Sequence, residues 1–192
     1  QSGGVAIRYV NSKRSVPVTH VISTGNQLLL DAADYIDVLC EDPRVRVIGL
    51  FMEGIADGPG FADAVVRAHE RRIPIVALKA GRTEMGARMA LTHTASLASG
   101  DAFYQALFDR LGVIRVRSLA AFDETIKMVC HGGLPAGPRV AVLTSSGAMR
   151  TMAADLITEA ELELPQPSVR TAAMLRKQML DFAHVSNPLD YN

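Results

Sequence analysis

The 192 residues are 48% hydrophobic and 21% charged, with 20 Lys plus Arg against 20 Asp plus Glu, 15 Gly, 9 Pro and no Trp. Such an apolar share is ample for a packed core and excludes intrinsic disorder, and the zero net charge excludes a nucleic-acid binder held by bulk charge. The longest apolar runs, Val47–Met52 and Ile73–Leu78, are far shorter than the ~20 residues that cross a bilayer, so neither a membrane span nor a basic-then-apolar secretory leader is expected.

Short β-branched runs alternate with helix-length amphipathic segments, the pattern of a parallel α/β sheet. Gly4–Asn11 reads as a helix behind a Ser-Gly turn, and Val18–Ser23 as a strand. Leu28–Glu41 places Leu29, Ala33, Ile36 and Cys40 on one helical face. Val45–Met52 is a near-continuous apolar run, as buried parallel strands are. A helix over Phe61–Arg71 and a strand over Pro74–Lys79 follow. Thr83–Leu91 reads as helix, Thr92–Gly100 as a loop of small residues, and Asp101–Leu111 as helix again. Ile114–Arg117 is a short strand and Ala120–Cys130 a helix. Residues 133–138 belong to a Gly/Pro-dense linker, His131–Pro138. The pattern then restarts with strand Arg139–Thr144, turn Ser145-Ser146-Gly147, helix Ala148–Glu159, short strand Leu162–Leu164 and helix Ser168–Leu180.

Gln1–Gly4 before its helix resembles Ser145–Ala148 before the later one, which suggests two copies of one α/β unit. The first copy, 1–132, lacks the strand that should precede Gln1. The second, 139–192, has only two strands, too few for an independent sheet. The expectation is a fragment of a longer polypeptide; the alternative is that Arg139–Thr144 fills the empty place in the first sheet.

Cys40 and Cys130 fall in helical patterns, far apart and without metal-ligand spacing, which points to a reducing cytoplasm. Of the five histidines, His20 sits in a strand pattern, His69 at a helix end, His131 in the linker and His184 before the Asn187-Pro188 turn, all structural readings. His93 differs. It lies among small and hydroxylated residues just before a helix, where backbone can approach a ligand and helix N–H groups can meet an anion. A neutral imidazole is a competent nucleophile near pH 7, and its nitrogen can hold a phosphoryl group. Chemistry alone leaves the functional and structural readings of His93 both open.

Gln1-Ser2-Gly3, Ser23–Gln27, Glu53–Gly58, Lys79–Arg82 and Thr92-His93-Thr94 occur in one order. Together they resemble the succinyl-CoA-ligase-like flavodoxin domain of NDP-forming acyl-CoA synthetases, and the nearest likeness is to ADP-forming acetate–CoA ligases. The resemblance continues through Arg139–Gly147 and Val185–Tyr191, and so covers essentially the whole chain. It implies a three-layer α/β fold with a flavodoxin-like parallel sheet, followed by part of a second such unit.

The resemblance also implies a reaction. Acid, CoA and nucleoside triphosphate give acyl-CoA, nucleoside diphosphate and phosphate through an acyl phosphate and a phosphohistidine. The phosphorylated histidine maps onto His93, and the carboxylate that orients it onto Glu53. Phosphate contacts at helix N-termini map onto Ser2 and Gly3, and onto Ser146 and Gly147. Gly25 and Asn26, also before a helix, are candidates for lining the site. The implied cofactors are ATP/ADP with Mg, and CoA, bound mainly by a CoA-binding domain and an ATP-grasp domain that are absent from these residues. A small carboxylic acid is the implied substrate and a homo-oligomer the implied assembly; no protein metal site is expected. The sequence departs from the family loop at Ala95 and Ser99, where glycines are common. The alternative is a non-catalytic regulatory domain of a protein acetyltransferase fusion.

Overall fold

In the computed structural model, which describes residues 17–25, 27, 29–91, 100–180 and 184–191, the first helix described is α1 (Ala32–Cys40). Its start is fixed by a capping box: the Asp31 carboxylate accepts from the Ala33 N–H at 2.8 Å, and Asp34 accepts from the Asp31 N–H at 2.9 Å. The helix therefore begins after Leu28, and Leu29, expected on its inner face, lies outside it and exposed. Ile36 and Cys40 of that face are buried as the spacing predicts.

β1 (Ile48–Met52), α2 (Gly58–Glu70), β2 (Ile75–Lys79), α3 (Glu84–Leu91), α4 (Asp101–Leu111), β3 (Ile114–Val116) and α5 (Leu119–Gly132) follow in order. α2 starts earlier than Phe61 because Pro59 is tolerated in a first turn, where its missing N–H has no intrahelical partner to lose. α4 keeps the bounds that its flanking glycines mark, and Gly112 ends it in the left-handed conformation at φ 68°.

The three strands are parallel in the order β1-β2-β3, with Ile48 beside Ile75 and Val76 beside Ile114. β2 is central and buried along its whole length. Its side chains alternate between two apolar layers. Ile75 and Ala77 face a cluster that includes Ile36 and Cys40 of α1, Phe61 and Val65 of α2, and Tyr104 and Phe108 of α4. Val76 and Leu78 face Phe122 and Ile126 of α5. Helices thus cover both faces of the sheet, the three-layer flavodoxin-like arrangement. α1 and α2 are further joined by Arg67, which donates to both Asp37 oxygens at 2.8 and 2.7 Å, and by Arg71, which donates to the Cys40 carbonyl at 2.8 Å.

The expected strand Val18–Ser23 is a correction. This stretch carries no strand, and among the described residues no ladder partner takes its backbone groups. Apolar alternation makes a segment compatible with a strand, but only a neighbouring strand makes it one. The expected helix Gly4–Asn11 lies outside the described residues.

The chain divides into two units, residues 1–133 and 134–192. The second contains β4 (Leu143–Thr144), α6 (Gly147–Glu159), α7 (Val169–Arg176) and β5 (Leu189–Asp190). β4 and β5 pair in parallel, and the Leu189 N–H donates to the Val142 carbonyl at 2.8 Å. The expected strand Arg139–Thr144 is strand only at its end, because the Val142 N–H goes to the Asn187 side chain at 3.1 Å. The expected strand Leu162–Leu164 is reduced to a parallel bridge between Glu163 and Arg139. β4 pairs with β5 and belongs to the second sheet, so it does not refill the first. Among the described residues no helix is long and apolar enough to cross a membrane.

Candidate active site at the carboxyl edge of the first sheet

Open parallel sheets bind ligands outside the carboxyl ends of their strands. At this edge β1 delivers Glu53, and the ladder runs just past it, with the Ala80 N–H donating to the Met52 carbonyl at 2.9 Å. Glu53 sits in a bend, exposed, and forms no hydrogen bond or ion pair with another described residue. The other acid of its loop, Asp57, leans over the first turn of α2. A Cβ at Gly60 would collide with that carboxylate, so the glycine is what admits it. The helix start favours a negative charge there.

β2 delivers Lys79, whose side chain shares the face of Ile75 and Ala77 and is 5% exposed. Its Nζ donates to the Ala80 carbonyl at 2.7 Å and the Gly81 carbonyl at 3.3 Å, and lies 4.5 Å from the centroid of the Tyr104 ring. Burial pushes the ammonium below the ordinary lysine range; Asp101 and Glu53 pull it back up and Arg115 adds to the lowering. Arg115, opposite Ala77 in the ladder, is on the same face. It pairs with Asp101 and donates to Gln105 at 2.9 Å, while its buried Nε has no partner. Asp101, Tyr104, Gln105 and Phe108 form one stripe of α4, and that stripe covers both cations. Lys79 enters the sequence reading only as the head of the Lys79–Arg82 motif, and neither it nor Arg115 was read there as a site residue. The available signal was a lone lysine closing an apolar strand directly before Ala-Gly.

His93, with Ala95 and Ser99, lies outside the described residues, as do Ser2, Gly3 and Asn26. Gly25 occupies a turn before α1 at φ 61°, a conformation that favours glycine. Among the described residues nothing stands within 4 Å of where its Cβ would be, and the positive φ is what favours glycine there.

In the second unit, Ser146 is the N-cap of α6, its Oγ accepting from the Met149 N–H at 3.4 Å, and its own N–H donates to Thr144 Oγ1 at 3.2 Å. Gly147 is the first residue of that helix. A Cβ on it would lie 3.6 Å from Oδ2 of Asp190, so a carboxylate already stands at this helix end. Among the described residues no group of three or more His, Cys, Asp and Glu has the geometry to hold a metal ion.

A family model described as the succinyl-CoA ligase like flavodoxin domain matches residues 1–129. The alpha subunit of ADP-forming acetate–CoA ligase II from Pyrococcus furiosus is 35% identical over 194 residues, covering 99% of this chain and 42% of that protein. Among solved structures, the apo dinucleotide-forming acetyl-coenzyme A synthetase 1 of Candidatus Korarchaeum cryptofilum superposes with a TM-score of 0.86 at 30% identity, covering 100% of this chain and 41% of that one. The same synthetase in complex with phosphate and ADP gives a TM-score of 0.80 at 34% identity, covering 89% and 37%.

A parallel α/β sheet covered on both faces, with Glu53 and Lys79 at its carboxyl edge, defines the class. Within it, the chain belongs to the succinyl-CoA ligase-like flavodoxin domain family, as found in ADP-forming acetate–CoA ligases. The chain spans about two fifths of the length of the Pyrococcus subunits that it matches.

Proposed function

We propose that these residues are the phosphohistidine-bearing part of an ADP-forming acyl-CoA synthetase. In this reading a ring nitrogen of His93 takes a phosphoryl group as a P–O bond breaks, and the electron pair of that bond leaves with the departing oxygen. The departing group is nucleoside diphosphate in one direction and the carboxylate of an acyl phosphate in the other. Phosphoryl transfer asks the protein mainly for positioning and electrostatics. A carboxylate on one ring nitrogen fixes the tautomer, strengthens the other nitrogen as a nucleophile and stabilises the cationic phospho-imidazole. Glu53 takes that role. The observation that carries the reading is its exposed carboxylate, in the field of Lys79 but in no hydrogen bond or ion pair with another described residue, at the carboxyl edge of a sheet of this family.

The same reading assigns Ser2, Gly3, Ser146 and Gly147 to phosphate contacts and Gly25 and Asn26 to the lining of the site. At Gly147 a phosphate shares the helix end with Asp190, so the dipole there serves two negative charges. The phosphate and ADP named for the Korarchaeum structure fit the cycle. Nucleotide with Mg, and CoA, fall to ATP-grasp and CoA-binding domains in the remaining length of such enzymes. A small carboxylic acid is the acyl donor.

The test is direct. The complete enzyme is incubated with γ-labelled ATP, and acid-labile label is located by peptide mapping. Label on His93, lost in His93→Gln together with acyl-CoA formation, is the expected result. Full turnover by His93→Gln overturns the assignment.

A further inference from the structure

Lys79 joins two parts of the chain on either side of the stretch that carries His93. On one side, its ammonium holds the carbonyls of Ala80 and Gly81, where β2 turns towards α3. On the other, it lies over the ring of Tyr104 and within the field of Asp101, both in the first turn of α4. An ammonium is costly to bury, and its partners here are two backbone carbonyls, an aromatic face and the fields of two carboxylates, Asp101, which Arg115 shares, and the exposed Glu53. A methionine of similar length would fill the same space without the cost of burying a charge, and would give up the two hydrogen bonds to the carbonyls of Ala80 and Gly81. Stability alone therefore does not account for a cation at this position.

We propose that Lys79 is a positioning residue: by fastening the β2–α3 turn to the first turn of α4, it fixes the ends of the segment from which His93 must reach a phosphoryl group. The inference rests on the phosphohistidine reading and names a residue which that reading does not use. Misplacement of a reacting group by about 1 Å costs on the order of 10²-fold in rate.

The experiment compares Lys79→Met and Lys79→Gln with the unmodified full-length enzyme by two measurements. The first is amide hydrogen exchange over residues 80–84 and 101–105. Faster exchange at both ends in Lys79→Met, with the melting temperature little changed, is expected; exchange unchanged at either end overturns the fastening. The second is steady-state and single-turnover kinetics. A fall of roughly 10–100-fold in kcat and in labelling of His93, with KM for the acid and nucleotide held within about twofold, is expected. Labelling at the unmodified rate overturns the positioning role. Lys79→Gln keeps a donor for the carbonyls without the charge, and is expected to fall between the other two in both measurements. A rate equal to that of the unmodified enzyme, with exchange also unaltered, overturns the need for a cation. Failure of the unmodified enzyme to label His93 overturns the phosphohistidine reading and the positioning role with it, while the exchange result still decides the fastening.

Discussion

The side-chain amide of Asn187 both gives to and takes from the stretch that leads into β4: Oδ1 accepts from the Val142 N–H at 3.1 Å and Nδ2 donates to the Val140 carbonyl at 2.7 Å. It thus presents to residues 140–142 what a neighbouring parallel strand would present. Nδ2 also donates to the Pro165 carbonyl at 3.0 Å, and the Asn187 main chain is held by both ends of the Gln166 amide. Asn187→Asp puts an oxygen against two carbonyls with hardly a change of shape. A buried acceptor left facing acceptors costs roughly 1–3 kcal/mol. A lower denaturation midpoint is expected, with faster amide exchange at residues 140–144; an unchanged midpoint would show the amide to be dispensable.

Gly49 in β1 is a glycine set by close approach rather than by φ. A Cβ there would lie 2.6 Å from Cδ1 of Ile126 and 2.9 Å from Cζ of Phe122. Gly49→Ala should cost about 1–3 kcal/mol as α5 is pushed off the sheet. Ile126→Val removes one of the two obstructing atoms, so the double substitution should be less harmful than the sum of the singles. Strict additivity in thermal unfolding would argue that α5 does not press on β1 at this point.

The turn after α1 carries a pH signature. Hydrogen bonds from the Arg44 side chain, at 2.6–3.1 Å, and from its backbone N–H at 2.9 Å hold the Asp42 carboxyl down from 3.8 to about 2. The folded value lies below the unfolded one. Its contribution is therefore fully present above about pH 4 and is lost as pH falls through about 2. Asp42→Asn should lower the melting temperature slightly at pH 6 and draw level with the unmodified protein near pH 2. Curves that stay parallel from pH 6 to pH 2 would remove Asp42 from the acid response.

The parts of the fold legible in the sequence were those whose signals are local. Ile75–Lys79 read as a buried strand because both of its faces are apolar, and the bounds of α4 were marked by Gly100 and Gly112. The helix expected from Leu28 starts later, at Ala32, because the Asp31 carboxylate caps the chain there, a local signal that the apolar spacing through Leu29 does not contain. What depends on distant partners was not legible. Val18–Ser23 has strand composition but no ladder, and Leu189–Asp190 is a strand only because β4 lies beside it. At the candidate site, the loop acid Glu53 was visible as an acid following a strand. Lys79 was visible only as the head of the Lys79–Arg82 motif; its burial was not, since a lysine at a strand end ordinarily points to water, and the stripe of Asp101, Tyr104, Gln105 and Phe108 is what makes that burial tolerable.

The loop after β1 holds two acids, and their surroundings separate their roles. Both are exposed, but Asp57 leans on the start of α2 against Gly60, whereas Glu53 lies in the field of Lys79 and forms no hydrogen bond or ion pair with another described residue. Asp57→Asn should therefore alter the stability of α2 slightly and leave phosphoryl transfer at its ordinary rate. Glu53→Gln keeps the shape of the side chain and removes its charge at an exposed position, so the melting temperature should hardly move. If Glu53 orients and stabilises the phosphorylated imidazole, labelling of His93 should slow by roughly 10²–10⁴-fold, the range for loss of an orienting carboxylate or a general acid–base partner. Rapid-quench labelling of the complete enzyme measures this for both variants. A slow Asp57→Asn beside an unaffected Glu53→Gln would transfer the orienting role to Asp57, and two unaffected variants would leave this loop no part in the chemistry.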